Sequence, residues 1–247
     1  MSIVFKYCDD KALPLVDLQD LKKVLQYVTD NPIGKKELAD NYGSIAPASL
    51  GAILRSIVAM EQQGASSFFG EPSFDVEDLL KTRDGKGVVN IFRVDDIQNK
   101  PNLFSTFMLS LFAEIYMTFP EEGDSGRPKL VLFIDEAHLI FNEASKALLS
   151  QIETMVKLIR SKGIGIYFIT QIPGDVPENI LSQLGLKIQH ALRGFTAKDR
   201  KEIDKAVENY PITEFYKANE LIQNLGIGEA FVTALDEKGI PTPLVQT

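Results

Sequence analysis

The stretch that decides the fold is Lys129–Phe141, KLVLFIDEAHLIF. From Leu130 to Ile134 it carries no polar side chain. A run of that kind reads as a central parallel strand covered on both faces, because strands with one wet face alternate instead. Asp135 and Glu136 follow at its carboxyl end, where open α/β sheets place their ligands. A second apolar run, Ile164–Thr170 (IGIYFIT), follows a helical stretch, Ala144–Lys162, that stops at Gly163. Strand, helix, strand is the unit of a parallel sheet with right-handed crossovers.

Working outward, Val88–Val94 (VVNIFRV) reads as an earlier strand and Pro101–Phe119 as a long apolar helix. Residues 120–128 read as a solvated loop. Beyond Thr170, the pattern predicts a short helix at Pro177–Leu184, a strand at Leu186–Leu192 and a charged helix at Ala197–Glu208. A last helix at Thr213–Leu225 and a late strand at Glu229–Leu235 complete it. Residues 87–247 are therefore expected to form an α/β core with a parallel sheet flanked by helices, its first strand drawn from residues 1–8. The region 14–86 reads as a helical insert. Leu18, Leu21, Val24, Leu25 and Val28 recur at helical spacing behind a capping Asp17, and Asn31-Pro32-Ile33-Gly34 breaks that helix. A second helical stretch runs from Ser49 to Gln63 and ends at Gly64.

Composition narrows the class. The chain has 247 residues, is 45% hydrophobic and 24% charged, and carries a net charge of −8. At this length roughly 70–75% of the unfolded surface is buried on folding, so neither disulfides nor a structural metal is needed. Cys8 is the sole cysteine, and His138 and His190 are the two histidines. An internal disulfide is thereby excluded, and so is a Cys/His zinc cluster. A lone cysteine fits a reducing, cytoplasmic setting. No run approaches the ~20 apolar residues of a membrane helix. The acidic balance argues against a protein that coats nucleic acid, yet it allows contact through one local basic loop.

The Asp-Glu pair suits nucleotide hydrolysis. A carboxylate at a strand tip can hold Mg²⁺ through water, since Mg²⁺ gives up its waters reluctantly. The next carboxylate can orient a water toward a γ-phosphate. An apolar strand ending in Asp-Glu is the Walker B pattern of P-loop ATPases, although any strand can end in two solvated acids. Gln171, after the second strand, can hydrogen-bond the γ-phosphate or the water, or can merely cap the following loop. Arg160 can complement a helix dipole, or can reach a neighbouring subunit's nucleotide and stabilise transition-state charge there. Arg193 is a further candidate of that kind. Lys198, Arg200, Lys201 and Lys205 read as a solvated helix face before a DNA contact. His138 reads as a packing or coupling residue, and His190 as a hydrogen-bonded core histidine. No G-x-x-x-x-G-K-[ST] phosphate loop occurs: Gly34-Lys35 runs into Lys36, and Gly85-Lys86 into Gly87.

LVLFIDEAHLIF, IRSKGIGIYFITQ and DVPENILSQLGLKIQHALRGFTAKDRK together resemble the HerA–FtsK superfamily of ATP-driven DNA motors, in its bacterial HerA-like branch. VFKYCDDKALPLVDLQDLKKVLQYV, SSFFGEPSFDVEDLL, VVNIFRVDD and LGIGEAFVTALDEKG extend the likeness over nearly the whole chain. The resemblance implies a RecA-like core that binds ATP and Mg²⁺ and assembles into a homo-oligomeric, hexameric ring on DNA. By that likeness Asp135 takes the Mg²⁺ role, Glu136 the catalytic-base role and Gln171 the sensor role, and Arg160 matches an arginine of the helix after Walker B. It also implies a Walker A loop upstream of Met1. Two readings follow: the C-terminal part of an ATP-hydrolysing DNA translocase, or a scaffold or oligomerisation module that keeps the fold without the phosphate loop.

Overall fold

Val4, Tyr7 and Cys8 fall at positions i, i+3 and i+4, and all three are buried. That spacing builds one face of a helix, α1 (Ser2–Asp10), so the strand expected within residues 1–8 is not formed. The structure is a computed structural model that describes every residue except 72, 124, 125, 142, 143, 145, 195, 209, 211–216, 237 and 247. The chain divides into two compact units, Met1–Ser110 and Leu111–Thr247.

In the first unit, Asp17 accepts from the Asp20 amide at 2.8 Å and starts α2 (Leu18–Asp30). Asn31 ends α2 and caps α3 (Pro32–Asn41), taking the Ile33 and Gly34 amides on its side chain, with Pro32 in the first turn. The break expected at Asn31–Gly34 is thus a corner between two helices. A Cβ on Gly34 would stand 2.6 Å from the Tyr27 ring and carbonyl, so only glycine lets the two helices meet this closely. α4 (Pro47–Gln62) follows and ends before Gly64, whose φ is +89°. Leu25, Val28, Leu38 and Ile57 close over the buried face of α1. Burial pushes the Tyr7 phenol up to about 12, and Glu37, which accepts its hydroxyl at 3.1 Å, adds to the rise. Two 3-10 turns (Ala65–Ser67 and Val76–Leu80) and a small hairpin, β1 (Thr82–Arg83) and β2 (Lys86–Gly87), lead on.

The expected strand Val88–Val94 does not form: the segment has no ladder partner among the described residues, and Val89 and Ile91 are 85% and 82% exposed. Its composition is strand-like, but a strand is defined by what it pairs with. α5 (Pro101–Thr118) is the predicted apolar helix.

In the second unit, β3 (Leu130–Ile134) and β4 (Ile164–Phe168) pair in parallel, from Leu130 against Ile164 to Ile134 against Phe168. Between them lie α6 (His138–Phe141), α7 (Lys146–Leu158) and a 3-10 turn, Ile159–Lys162. Leu148, Ile152 and Met155 form the buried face of α7. A 3-10 turn (Pro173–Asp175) and α8 (Glu178–Leu181) precede β5 (Leu186–His190). α9 (Ala197–Glu208), α10 (Ala218–Asn224), β6 (Ala230–Ala234) and β7 (Val245–Gln246) complete it. Residues 213–216 of the expected last helix lie outside the described residues.

β5 pairs antiparallel with β6, and β6 with β7, so β5 does not continue the β3–β4 ribbon. The chain is mixed α/β, but its parallel sheet, among the described residues, is two strands wide rather than the broad flanked sheet expected. The sequence of β5, Leu-Lys-Ile-Gln-His, alternates, as half-exposed antiparallel strands do, whereas β3 and β4 are continuous apolar runs.

Candidate functional site

The carboxyl end of the β3–β4 ribbon has an irregular step. The Ile169 amide donates to the Ile134 carbonyl at 2.9 Å, which continues the ladder one residue past β4. A regular parallel ladder would return the next bond from the amide of residue 136. The Ala137 amide makes it instead, to the Ile169 carbonyl at 2.8 Å. One extra residue is therefore inserted on the β3 side, as in a β-bulge, and such insertions re-aim side chains beside functional sites. The inserted residue is Glu136, with φ +49°. Its own N–H turns back to Asp135 Oδ1 at 2.9 Å. Ala137 next to it is fully buried, which anchors the step.

This step brings three predicted positions together. Gln171 Nε2 donates to Glu136 Oε1 at 3.1 Å, so the candidate base and the candidate sensor touch across the ribbon. His138 Nδ1 lies 3.2 Å from Glu136 Oε2. That oxygen is sheltered from solvent yet accepts no well-formed hydrogen bond. Thr170 Oγ1 donates to Asp175 Oδ2 at 2.8 Å and ties down the loop that carries Gln171. A non-glycine residue in the left-handed region costs of order 1–3 kcal/mol and gathers at functional sites. Nothing in the sequence marks Glu136 for that conformation.

Asp135 is exposed, with Oδ1 engaged by the Glu136 amide. Among the described residues no three His, Cys, Asp or Glu side chains converge as a metal cage. A lone strand-tip carboxylate fits a cation that keeps most of its waters and borrows phosphate oxygens, which is the habit of Mg²⁺.

Arg160 lies in the 3-10 turn before β4, beside a shallow cavity of about 320 Å³ whose walls include Arg127, Pro128, Gly163 and Ile164. β4, five residues and roughly 16 Å long at about 3.3 Å per residue, lies between it and Gln171. Arg160 and the Glu136–Gln171 pair thus stand at opposite ends of one ribbon. The Arg193 guanidinium donates to the Gln223 and Leu225 carbonyls, the latter at 2.7 Å, and so closes the C-terminal end of α10. On α9, Arg200, Lys201 and Lys205 are exposed while Ile203 and Ala206 are buried, the pattern of a solvated face; the side chain of Lys198 is not among those described. His190 is hydrogen-bonded as expected, Nδ1 to the Glu229 carbonyl at 3.0 Å, but at an exposed position rather than in a core. No described helix is long and apolar enough to cross a membrane.

A comparison with curated proteins gives no match. The family model described as helicase HerA-like C-terminal matches residues 1–247, β3 and the Gln171 loop included. With a match of that extent, the chain belongs to the helicase HerA-like C-terminal family.

Proposed function

We propose that this chain supplies the hydrolytic half of the nucleotide site in a cytoplasmic, ring-forming, ATP-driven DNA translocase or helicase-like motor with a RecA-like core. The observation that carries the reading is the inserted Glu136, held at the strand end with its carboxylate bonded to Gln171. A carboxylate fixed there can orient a water and accept its proton as the water attacks a γ-phosphate. Gln171, bonded to that carboxylate, links phosphate engagement to the base. Asp135 would hold Mg²⁺, and the ion when bound would neutralise phosphate charge. Arg160 stands a strand length away from Glu136, so it serves the site of a neighbouring subunit in the ring. Arg193, engaged by carbonyls of α10, is left out of the site. The phosphate loop is contributed by residues outside these 247, and the helical region 14–86 faces a partner or DNA.

The test is ATP turnover by the full-length protein with and without DNA, across a salt series. Glu136→Gln is expected to abolish turnover while ATP binding persists, and DNA stimulation is expected to fall as salt rises. Turnover unchanged by Glu136→Gln rejects the site.

One observation favours the scaffold reading. Phe133 and Tyr167 stack at 4.9 Å on the ribbon and remain 67% and 39% exposed, an apolar surface open to a partner. A full-length protein that binds itself or a partner but never hydrolyses ATP would decide for it.

A further inference from the structure

We infer that His138 is a positioning residue for Glu136, donating the proton of its Nδ1 to the sheltered carboxylate oxygen. The inference rests on the reading of Glu136 as the water-orienting base.

The left-handed turn at Glu136 folds the chain back, so that His138, two residues on and first in α6, faces the carboxylate it follows. Glu136 Oε1 is held by the Gln171 amide at 3.1 Å, and Oε2 is the oxygen left over. A sheltered carboxylate oxygen without a donor is unfavourable, and His138 Nδ1 stands 3.2 Å from it. Catalytic hydrogen bonds are often long or poorly aligned without substrate and tighten when it binds.

The two contacts come from different elements and reach different oxygens, Gln171 from the loop after β4 and His138 from α6. Together they fix the plane of the carboxylate, which one bond alone leaves free to turn. A carboxylate offers about four lone-pair positions, so two donors leave acceptor capacity for a water. The Glu136 side chain is 43% exposed, which keeps that capacity reachable. The grip therefore aims the base instead of blocking it.

The arrangement requires the neutral imidazole of His138 to carry its proton on Nδ1, since which nitrogen is protonated follows the hydrogen bond made. With two histidines in the chain, the imidazole ¹⁵N spectrum holds two ring systems. His190 is an internal control, because its Nδ1 faces a carbonyl oxygen and must also bear the proton. The experiment records these spectra for the 247-residue chain well above the ordinary histidine pKa of about 6.5. The expected result is an Nδ1–H tautomer at both histidines, with His138 alone switching to Nε2–H in Glu136→Ala. A His138 that is Nε2–H in the parent chain, or that ignores Glu136→Ala, overturns the inference.

Turnover of the full-length protein gives the second readout. His138→Ala is expected to lower kcat by about 10- to 100-fold with KM within about twofold, and His138→Asn, whose amide can donate from nearly the same place, to recover part of the loss. A kcat unmoved by His138→Ala while Glu136→Gln abolishes turnover removes the positioning role and leaves the site standing. Turnover unmoved by Glu136→Gln removes the site and the positioning role with it, whatever the tautomer.

Discussion

Each end of the β3–β4 ribbon is turned by one residue in the left-handed region, and the two ends fill that position differently. Before β4 it is Gly163 at φ +70°, and after β3 it is Glu136 at φ +49°. Glycine adopts that conformation without the steric cost a Cβ brings. The surroundings agree. At the Gly163 end, Lys162 is 7% exposed, and its ammonium donates to the Phe119 carbonyl at 2.6 Å beneath the Tyr116 ring. The Glu122 and Gly123 amides both reach the Ser161 carbonyl, and Lys129 pairs with Glu122 at 2.6 Å. At the Glu136 end, a side chain occupies a strained backbone position and one of its oxygens lacks a proper donor. One end is built to hold, and the other carries backbone strain beside a carboxylate whose contacts are incomplete.

The largest effect that can break this contrast is kinetic. If Arg160, at the holding end, serves a neighbour's nucleotide, the two ends meet across subunits. Glu136→Gln and Arg160→Ala should then each lower the turnover of the full-length protein by at least about 100-fold. Mixing the two inactive variants before assembly should restore part of it, because each interface that pairs an intact Glu136 with an intact Arg160 is whole. Mixtures as inactive as either parent would confine both residues to one subunit's own site, and the strand length between them would then be unexplained.

The next effect is on stability. Lys162→Ala removes a buried stem and leaves the Phe119 carbonyl without its donor, an expected loss of about 2–4 kcal/mol in urea unfolding. Lys162→Met keeps the stem and loses only the ammonium, for about 1–2 kcal/mol. Equal losses in the two variants would show that packing counts for little there and that the hydrogen bond holds that end.

Which parts of this contrast were legible in the sequence follows from what is local. Asp17 at the start of α2, the Asn31-Pro32 corner, Gly64 after α4 and the apolar faces of α5 and α7 are encoded within a turn or two, and they fall where periodicity and capping rules put them. Val88–Val94 has the residues of a strand and no ladder partner among the described residues, because pairing is decided far away in the chain. The parallel partnership of β3 and β4 was legible from two continuous apolar runs. The alternation of β5, by contrast, was a usable signal of an antiparallel strand that the strand-helix-strand rhythm outweighed. Glu136 and Gln171 were legible as types at strand ends, but their mutual bond depends on an inserted residue that no local preference announces. His138 became a candidate only when that insertion folded it back onto Glu136.

The smallest effect tests the strain itself. Glu136→Ala and Glu136→Gly both remove the carboxylate and its contact with Gln171, so they differ only in a Cβ at a left-handed position. A Cβ there costs roughly 1–2 kcal/mol, while glycine gives back about 0.5–1 kcal/mol through the extra freedom of the unfolded chain. Glu136→Gly should therefore unfold at a higher urea concentration than Glu136→Ala, by about 0.5–1 kcal/mol. At the other end Gly163→Ala poses the same comparison, and it should lose about as much relative to the parent, since its φ is likewise positive. An alanine at 136 as stable as glycine, beside a costly alanine at 163, would mean that the Glu136 turn relaxes once its side chain is gone. The left-handed backbone would then be imposed by the carboxylate's own partners, and the strain would belong to the site instead of to the ladder that meets it.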